Sequence, residues 1–308
     1  MNITPMVTQQ VFIMLILIVL GFVLTKCKII TESGVKDMSS LLLNVVIPFV
    51  LVQAYQTECE PGIVKEIVFA FLLSALLHAL YIIISTFVFK AEKNNEKRKV
   101  NIFTSVYSNC GFMGIPLLSA TLGSKGVILG SAYLAVFTIF SWTHGLYLYG
   151  KDKKLISIKN LYKNAGIIGV TVALVLFFAN IRITGVAKDI VGYVASLNTP
   201  MSMILLGTYL GRGSILKALK SVGMYASLAM RLLVLPLVTV FVFKLLSVDQ
   251  FMGTSIILSA ACPSAAVGAI FAERFNMDAL YPSQIVSVST IVSILTLPLM
   301  SYIIALVL

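Results

Sequence analysis

SNCGFMGIP, residues 108–116, sits in the middle of a long apolar run and interrupts it with two glycines, a proline and an asparagine. Glycine and proline weaken or break a helix and leave backbone groups without partners. In hydrocarbon an unpaired backbone amide costs several kcal/mol. The stretch therefore raises two questions together: whether the run crosses a membrane, and what a break at that depth is for.

Composition answers the first. Apolar residues make up 59% of the 308 residues and charged residues 11%, with a mean hydropathy of +1.00. A soluble domain carries about a quarter charged residues, so this chain lacks the polar surface to cover itself in water. Its net charge of +11 does not indicate nucleic acid, because the lysines cluster in short loops between apolar runs, as membrane orientation requires.

A hydrocarbon core of about 30 Å needs roughly 20 apolar residues per helix. Ten spans are predicted, near 7–26, 37–56, 63–89, 100–122, 127–149, 160–180, 187–210, 218–245, 251–274 and 281–307. With the N-terminus outside, the inner loops and their flanks hold Lys26, Lys28 and Lys36, then Lys90, Lys93, Lys97, Arg98 and Lys99. They also hold Lys151, Lys153, Lys154, Lys159 and Lys163, then Arg212, Lys217 and Lys220, and Arg274, seventeen cations in all. The outer loops hold five, Lys65, Lys125, Arg182, Lys188 and Lys244, and Arg231 lies inside a span. The asymmetry predicts a multi-pass protein of the cytoplasmic membrane with both termini outside. No Lys or Arg precedes the first run and no small-residue cleavage site ends it, so it reads as a membrane helix and not a signal peptide.

Enzyme chemistry has little to stand on. Cys27, Cys59, Cys110 and Cys262 show no disulfide framework, and His78 and His144 show no metal-ligand spacing. There is no P-loop, no G-x-S-x-G and no H-E-x-x-H. Neither an enzyme activity, a metal nor a cofactor is expected.

Two halves are visible, 1–150 and 151–308. In the first, Lys36-Asp37 is followed by Asn44 and Pro48; in the second, Lys188-Asp189 is followed by Asn198 and Pro200. FVFK closes the third span at Lys90 and the eighth at Lys244. The fourth span is broken at Pro116 and the ninth at Pro263, within SAACPSAAVGAIF. Five spans per half is an odd number, so the halves are expected to lie inverted in the membrane, as in secondary transporters. The fold class expected is thus an all-α bundle of ten helices in two inverted repeats, with broken crossover helices 4 and 9. Broken helices are tolerated only where they line a cavity, and their half-helix ends carry partial charges. A simple proline kink packed by neighbours is the alternative.

The motifs NCGFMGIPLLSATLG, NVVIPFVLV, LNTPMSMILLGTYLG, RLLVLPL and ERFNMDALYPSQIVSVSTIVSILTLP resemble the auxin efflux carrier family in its bacterial branch, over nearly the whole chain. Its N-x-G-F-x-G-x-P pattern is matched by Asn109, Gly111, Phe112, Gly114 and Pro116. The resemblance implies a fold related to the sodium–proton antiporters and bile-acid symporters. It also implies a scaffold part (spans 1, 2, 6 and 7) and a transport part (spans 3–5 and 8–10). It allows a homodimer through the scaffold part, and its members carry organic anions: auxin in plants, malate or malonate in some bacterial relatives. The long central loop of the plant carriers is replaced by a short basic linker at 150–160.

The candidate substrate-binding set is Asn109, Cys110, Gly111, Gly114 and Pro116 at the first break, and Cys262, Pro263 and Ser264 at the second, with Arg231, Asn44 and Asn198. Cys110 and Cys262 also read as small residues permitting close approach. An arginine at the depth of Arg231 costs roughly 2.5–3.5 kcal/mol. Arg231 is either functional, as a bidentate partner for a substrate carboxylate, or structural, as a partner for carbonyls of the broken ninth helix or a head group snorkelling towards a water-filled vestibule. His78 is a packing histidine or a proton carrier; Glu273 and Asp278 are a solvated helix end or a gate. Asp37 and Asp189 read as complementing the starts of spans 2 and 7.

The function expected is a secondary transporter of a small organic anion, a mono- or dicarboxylate, working by alternating access, with lipid as its other partner. A cation-coupled or cation-exchanging carrier would show strong sodium or pH dependence. A sensor or gated pore would show binding without flux, or single-channel currents. For the topology, Lys97→Cys and Lys153→Cys are expected to react with an impermeant thiol reagent only from the cytoplasmic face; labelling from outside reverses the orientation.

Overall fold

The computed structural model describes residues 3–56, 62–150, 165–212, 221–275 and 277–308, and every regular element among them is helical. In chain order the elements are α1 (Thr4–Lys26), α2 (Glu32–Ala54), α3 (Ile63–Ala91), α4 (Asn95–Val106) and α5 (Cys110–Gly150). Then follow α6 (Ala165–Phe178), α7 (Gly185–Gly211), α8 (Val222–Leu245), α9 (Gln250–Ala261), α10 (Val267–Arg274) and α11 (Leu280–Val307). Seven of these are long and apolar enough to cross a membrane, and α6 and α9 are shorter apolar helices. The protein is an all-α, multi-pass membrane protein. Cys59, the basic linker with Lys151, Lys153, Lys154, Lys159 and Lys163, and Lys217 and Lys220 lie outside the described residues, as do the side chains of Arg212, Glu273 and Arg274.

At 41 residues α5 is too long to be one membrane helix, since a straight one would run about 60 Å across a core of about 30 Å. It folds back at Gly123, whose φ of 63° and ψ of −158° belong to a region open only to glycine. Across the fold a Cβ on Gly126 would meet Leu122, one on Gly130 would meet Leu118, and one on Gly111 would lie 3.5 Å from Leu134. These pairs step outward in opposite directions along the chain, as in an antiparallel helical hairpin.

The boundaries of α2 and α7 differ from expectation. Helix α2 starts at Glu32, because Thr31 Oγ1 accepts from the Gly34 amide at 3.2 Å; Asp37 therefore lies in the second turn, beyond the cap. Asp189 likewise lies in the second turn of α7. Asp278 Oδ1 accepts from the Leu280 amide at 2.8 Å just before α11, whose N-cap Ala279 has no side-chain hydrogen bond. Helices α1 and α7 touch backbone to backbone: a Cβ on Gly21 would collide with the Ile204 carbonyl, and one on Gly207 with that of Ile18. Small residues permit this approach in lipid, where no hydrophobic force holds helices together.

Four short π-helical turns widen the helices, at Leu42–Val46 in α2, Cys110–Gly114 and Ser141–Gly145 in α5, and Met230–Val234 in α8. Three are followed after one residue by proline, at Pro48, Pro116 and Pro236. Proline lacks an N–H and its ring presses on the carbonyl four residues back, and a wider turn accommodates the ring.

Replacing Gly123 by alanine places a side chain where none is tolerated, at a cost of roughly 1–3 kcal/mol. Gly123→Ala should lower the thermal midpoint of the purified protein by several degrees; an unchanged midpoint would mean that the reversal is not at this residue.

Candidate functional site

The two broken stretches meet. Helix α4 ends at Val106, the chain is extended at Tyr107 and forms a bridge at Ser108, and after Asn109 α5 starts at Cys110. The break thus precedes Pro116, which lies just beyond the first turn of the new helix. In the other half α9 ends at Ala261, and α10 starts at Val267. Ser108 and Ser264 pair as an antiparallel bridge. The Asn109 amide donates to Pro263 O at 2.7 Å and the Ala265 amide to Tyr107 O at 2.9 Å. Ser264 Oγ donates to Thr104 O at 2.8 Å, and the Ser264 amide donates to Ser289 Oγ at 3.1 Å. Each break supplies hydrogen bonds that the other lacks.

Four helix ends surround this bridge, and their polarities are sorted. The carboxyl ends of α4 and α9, with their unpaired carbonyls and partial negative charge, share Arg231. This side chain is wholly buried. Its Nη1 donates to Ser105 O at 2.9 Å and Val106 O at 2.8 Å, and its Nη2 donates to Ala260 O. The guanidinium lies 5.7 Å from the Tyr81 ring centroid, and no carboxylate among the described residues pairs with it.

The amino ends of α5 and α10 border a cavity of about 360 Å³. Asn109, Gly111 and Phe112 line it from the first break, and Ala265, Ala266 and Val267 from the second. Asn44, in the π turn of α2, faces them, and Leu43, Ile47, Leu134, Phe137 and Trp142 provide apolar wall. Asn109 is buried, and its Nδ2 has no partner. Asn44 spends its own Nδ2 on Ser40 Oγ at 3.1 Å. No charged side chain is among the described lining residues. The arrangement brings two helix amino ends and one unspent amide donor beside an apolar wall, groups whose partial charge is positive.

The sequence-predicted residues separate into groups. Asn44, Asn109 and Gly111 line this cavity. Pro263 and Ser264 form the bridge itself. Cys110, Gly114 and Cys262 pack beneath it: a Cβ on Gly114 would lie 3.4 Å from both Cys110 Cβ and Cys262 Sγ. Pro116 and Asn198 line a different, smaller cavity, and Arg231 lines neither. His78 is fully buried, with Nδ1 2.8 Å from Ser74 O and its ring packed among Tyr81, Tyr107, Tyr133 and Phe140. Its Nε2 has no partner.

Trp142 and Thr138 line the cavity although nothing in the sequence had singled them out, and His144 holds the Tyr107 hydroxyl at 2.9 Å. The readable signal for the first cavity wall was Pro48, which places a wide turn over Asn44.

A family model described as membrane transport protein matches residues 6–163 and 160–301. The chain is similar to an uncharacterized transporter of Methanothermobacter thermautotrophicus, 24% identical over 302 residues that cover 96% of this chain and 97% of the relative. It is also similar to an uncharacterized transporter of Methanocaldococcus jannaschii, 22% identical over 309 residues covering 95% and 97%.

Three carbonyls at two helix ends depend on one guanidinium, and each hydrogen bond to a charged group contributes roughly 1.5–3 kcal/mol. Arg231→Lys, which cannot span all three, should lower the thermal midpoint, and Arg231→Ala should lower it further. An Arg231→Ala protein of unchanged stability but lost ligand response would assign the arginine to the ligand instead.

Proposed function

The chain belongs to the membrane transport protein family, that of the auxin efflux carriers, and on that premise we propose that it is a secondary transporter of a small organic monocarboxylate. The observation that carries this reading is Asn109 Nδ2, a buried amide donor without a protein partner at the edge of a cavity bordered by two helix amino ends. A buried donor left unmade costs about 1–3 kcal/mol. A carboxylate oxygen relieves that cost.

Charge bookkeeping selects the class of ligand. Each helix amino end is equivalent to roughly half an elementary charge, so two match one carboxylate. A dicarboxylate of the malate or malonate kind brings a second charge for which the described lining has no cation. The apolar walls of Leu43, Ile47, Phe112, Phe137 and Trp142 favour a ligand with an apolar body instead.

In this reading the fold-back at Gly123 makes two spans of α5, the break at 107–109 joins α4 to the first of them, and α9 with α10 forms a second broken span. The ten spans then divide into two inverted halves that cross at the Ser108–Ser264 bridge. Spans 1, 2, 6 and 7 form the scaffold, the rest the moving part, and the cavity lies between Asn44 of the first and Asn109 of the second. Motion of one part against the other exposes the site to each face in turn.

Trp142 is the only tryptophan in the chain and lines the cavity, so its fluorescence reports occupancy directly. Monocarboxylates with apolar bodies should quench or shift it in a saturable manner, and dicarboxylates of similar size should not. Asn109→Ala should fold normally and bind about 10- to 150-fold more weakly, the equivalent of one hydrogen bond to a charged group. Unchanged affinity in Asn109→Ala, or equal response to both ligand classes, would overturn the placement.

A further inference from the structure

Tyr55 follows Ala54, the last residue of α2, and is buried. Its ring packs edge-on against Phe177 of α6, with centroids 5.6 Å apart, and its carbonyl oxygen accepts from Arg182 Nη1 at 3.5 Å. Beside it Gln56 Oε1 accepts from the Ile183 amide at 2.7 Å. Ring and backbone are thus held by α6 and by the segment that leads into α7, while the hydroxyl bonds to α5. Its partner there is Ser131 Oγ, wholly buried and 2.8 Å away. Ser131 spends its own proton on Ile128 O at 2.7 Å, so Tyr55 donates and Ser131 accepts.

Where Ile47 of α2 faces Gly111 of α5, by contrast, the contact is apolar. Apolar contacts are non-directional and re-form after a slide. A buried hydrogen bond re-forms only where its donor meets a second acceptor, because a buried donor left unmade is costly. Helix α5 carries such an acceptor. Thr138 follows Ser131 by two turns and lies on the same face. It too spends its proton on its own helix, donating to Leu134 O at 2.8 Å. Between the two hydroxyls that face presents only Leu134 and Ala135. Thr138 lines the first cavity in this conformation.

We propose that Tyr55 is a positioning residue of the transport cycle, a pin that holds α5 at Ser131 in this conformation and at Thr138 in the alternate one. The inference rests on the transporter reading above, in which α2, α6 and α7 belong to the scaffold and α5 to the moving part. Exchanging one hydroxyl for the other displaces α5 by two turns, about 10 Å. It carries Asn109 the same way, toward the end of the bundle where Tyr55 lies. Packed helices switch by such whole-turn steps between discrete arrangements. The hydroxyl that lines the cavity in one state becomes the fastening in the other.

Nitroxide labels test this in a background lacking Cys27 and Cys59. Placed on Ser124→Cys of α5 and Lys188→Cys of α7, both exposed positions, they should show two distance populations by double electron–electron resonance. One buried hydrogen bond changes a population ratio about 2- to 12-fold. Ser131→Ala should shift the ratio by that factor away from the present conformation, and Thr138→Val by a similar factor toward it. Both shifts should vanish in Tyr55→Phe, which keeps the ring and loses the hydroxyl. Shifts of one sign, shifts that persist in Tyr55→Phe, or a single population in every variant overturn the proposal. A lower thermal midpoint in Ser131→Ala with an unchanged ratio also overturns it, because the bond then serves the fold alone. The populations are read without ligand, so this failure is distinct from that of the transporter reading, which would appear as an unaltered ligand response in Asn109→Ala.

Discussion

The described structure depends on how two helices are allowed to end inside a membrane. Each such end leaves carbonyls that lipid cannot satisfy, and the partial negative charge of a helix terminus adds to the cost. Arg231 answers both with one side chain, because a planar guanidinium directs several donors outward at once. Its charge is offset by two aligned helix ends in place of a carboxylate. This explains how an arginine persists deep in an apolar span with no acidic partner among the described residues. It also fixes α8 against α4 and α9, so the meeting point of the two breaks is held by a helix that belongs to neither.

With the negative ends thus occupied, the positive ends remain for something else. The bridge between Ser108 and Ser264 takes up the amides of Asn109 and Ala265, and Ser289 Oγ of α11 takes up that of Ser264. The expectation that backbone freed by the breaks would mostly face a ligand is therefore too broad. What is left is narrower still: the Gly268 and Ala269 amides of α10 already bond Ala265 O and Ala266 O, and the Met113 and Gly114 amides of α5 bond Asn109 O, so only the amides at the very starts of the two helices and the Nδ2 of Asn109 remain. A junction that satisfies itself almost completely leaves few polar groups unspent.

Much of this was legible in the sequence, and for identifiable reasons. Apolar length marks spans whatever the tertiary context, so most of the described helices fall within a few residues of expectation. The meeting of residues near 109 with residues near 263 followed from two breaks in matching places. The position of the first break did not. Pro116 drew attention because proline ends helices, but here the wide turn at Cys110–Gly114 accommodates its ring inside α5, and the chain leaves α4 already at Tyr107. The role of Arg231 was left between two readings because its partners are carbonyls, and carbonyls carry no signature in a sequence. Trp142 was missed because its wide turn has no proline after it, unlike those of Asn44 and Gly111.

Keeping the arginine out of the cavity matters for a transporter in particular. Two buried full charges brought into contact are costly to part, and removing one partner of such a pair costs about 3–5 kcal/mol. A carboxylate seated on Arg231 would be held in that way and would have to break the contact in each cycle. In the proposed site, two helix ends and one amide would meet the same carboxylate with partial charges, through hydrogen bonds that can be exchanged one at a time. The full positive charge is then used where its partners stay together, across the carbonyls of α4 and α9, which in the proposed cycle travel with α8 as one part. The weaker charge is used where, in the proposed cycle, the ligand must arrive and leave.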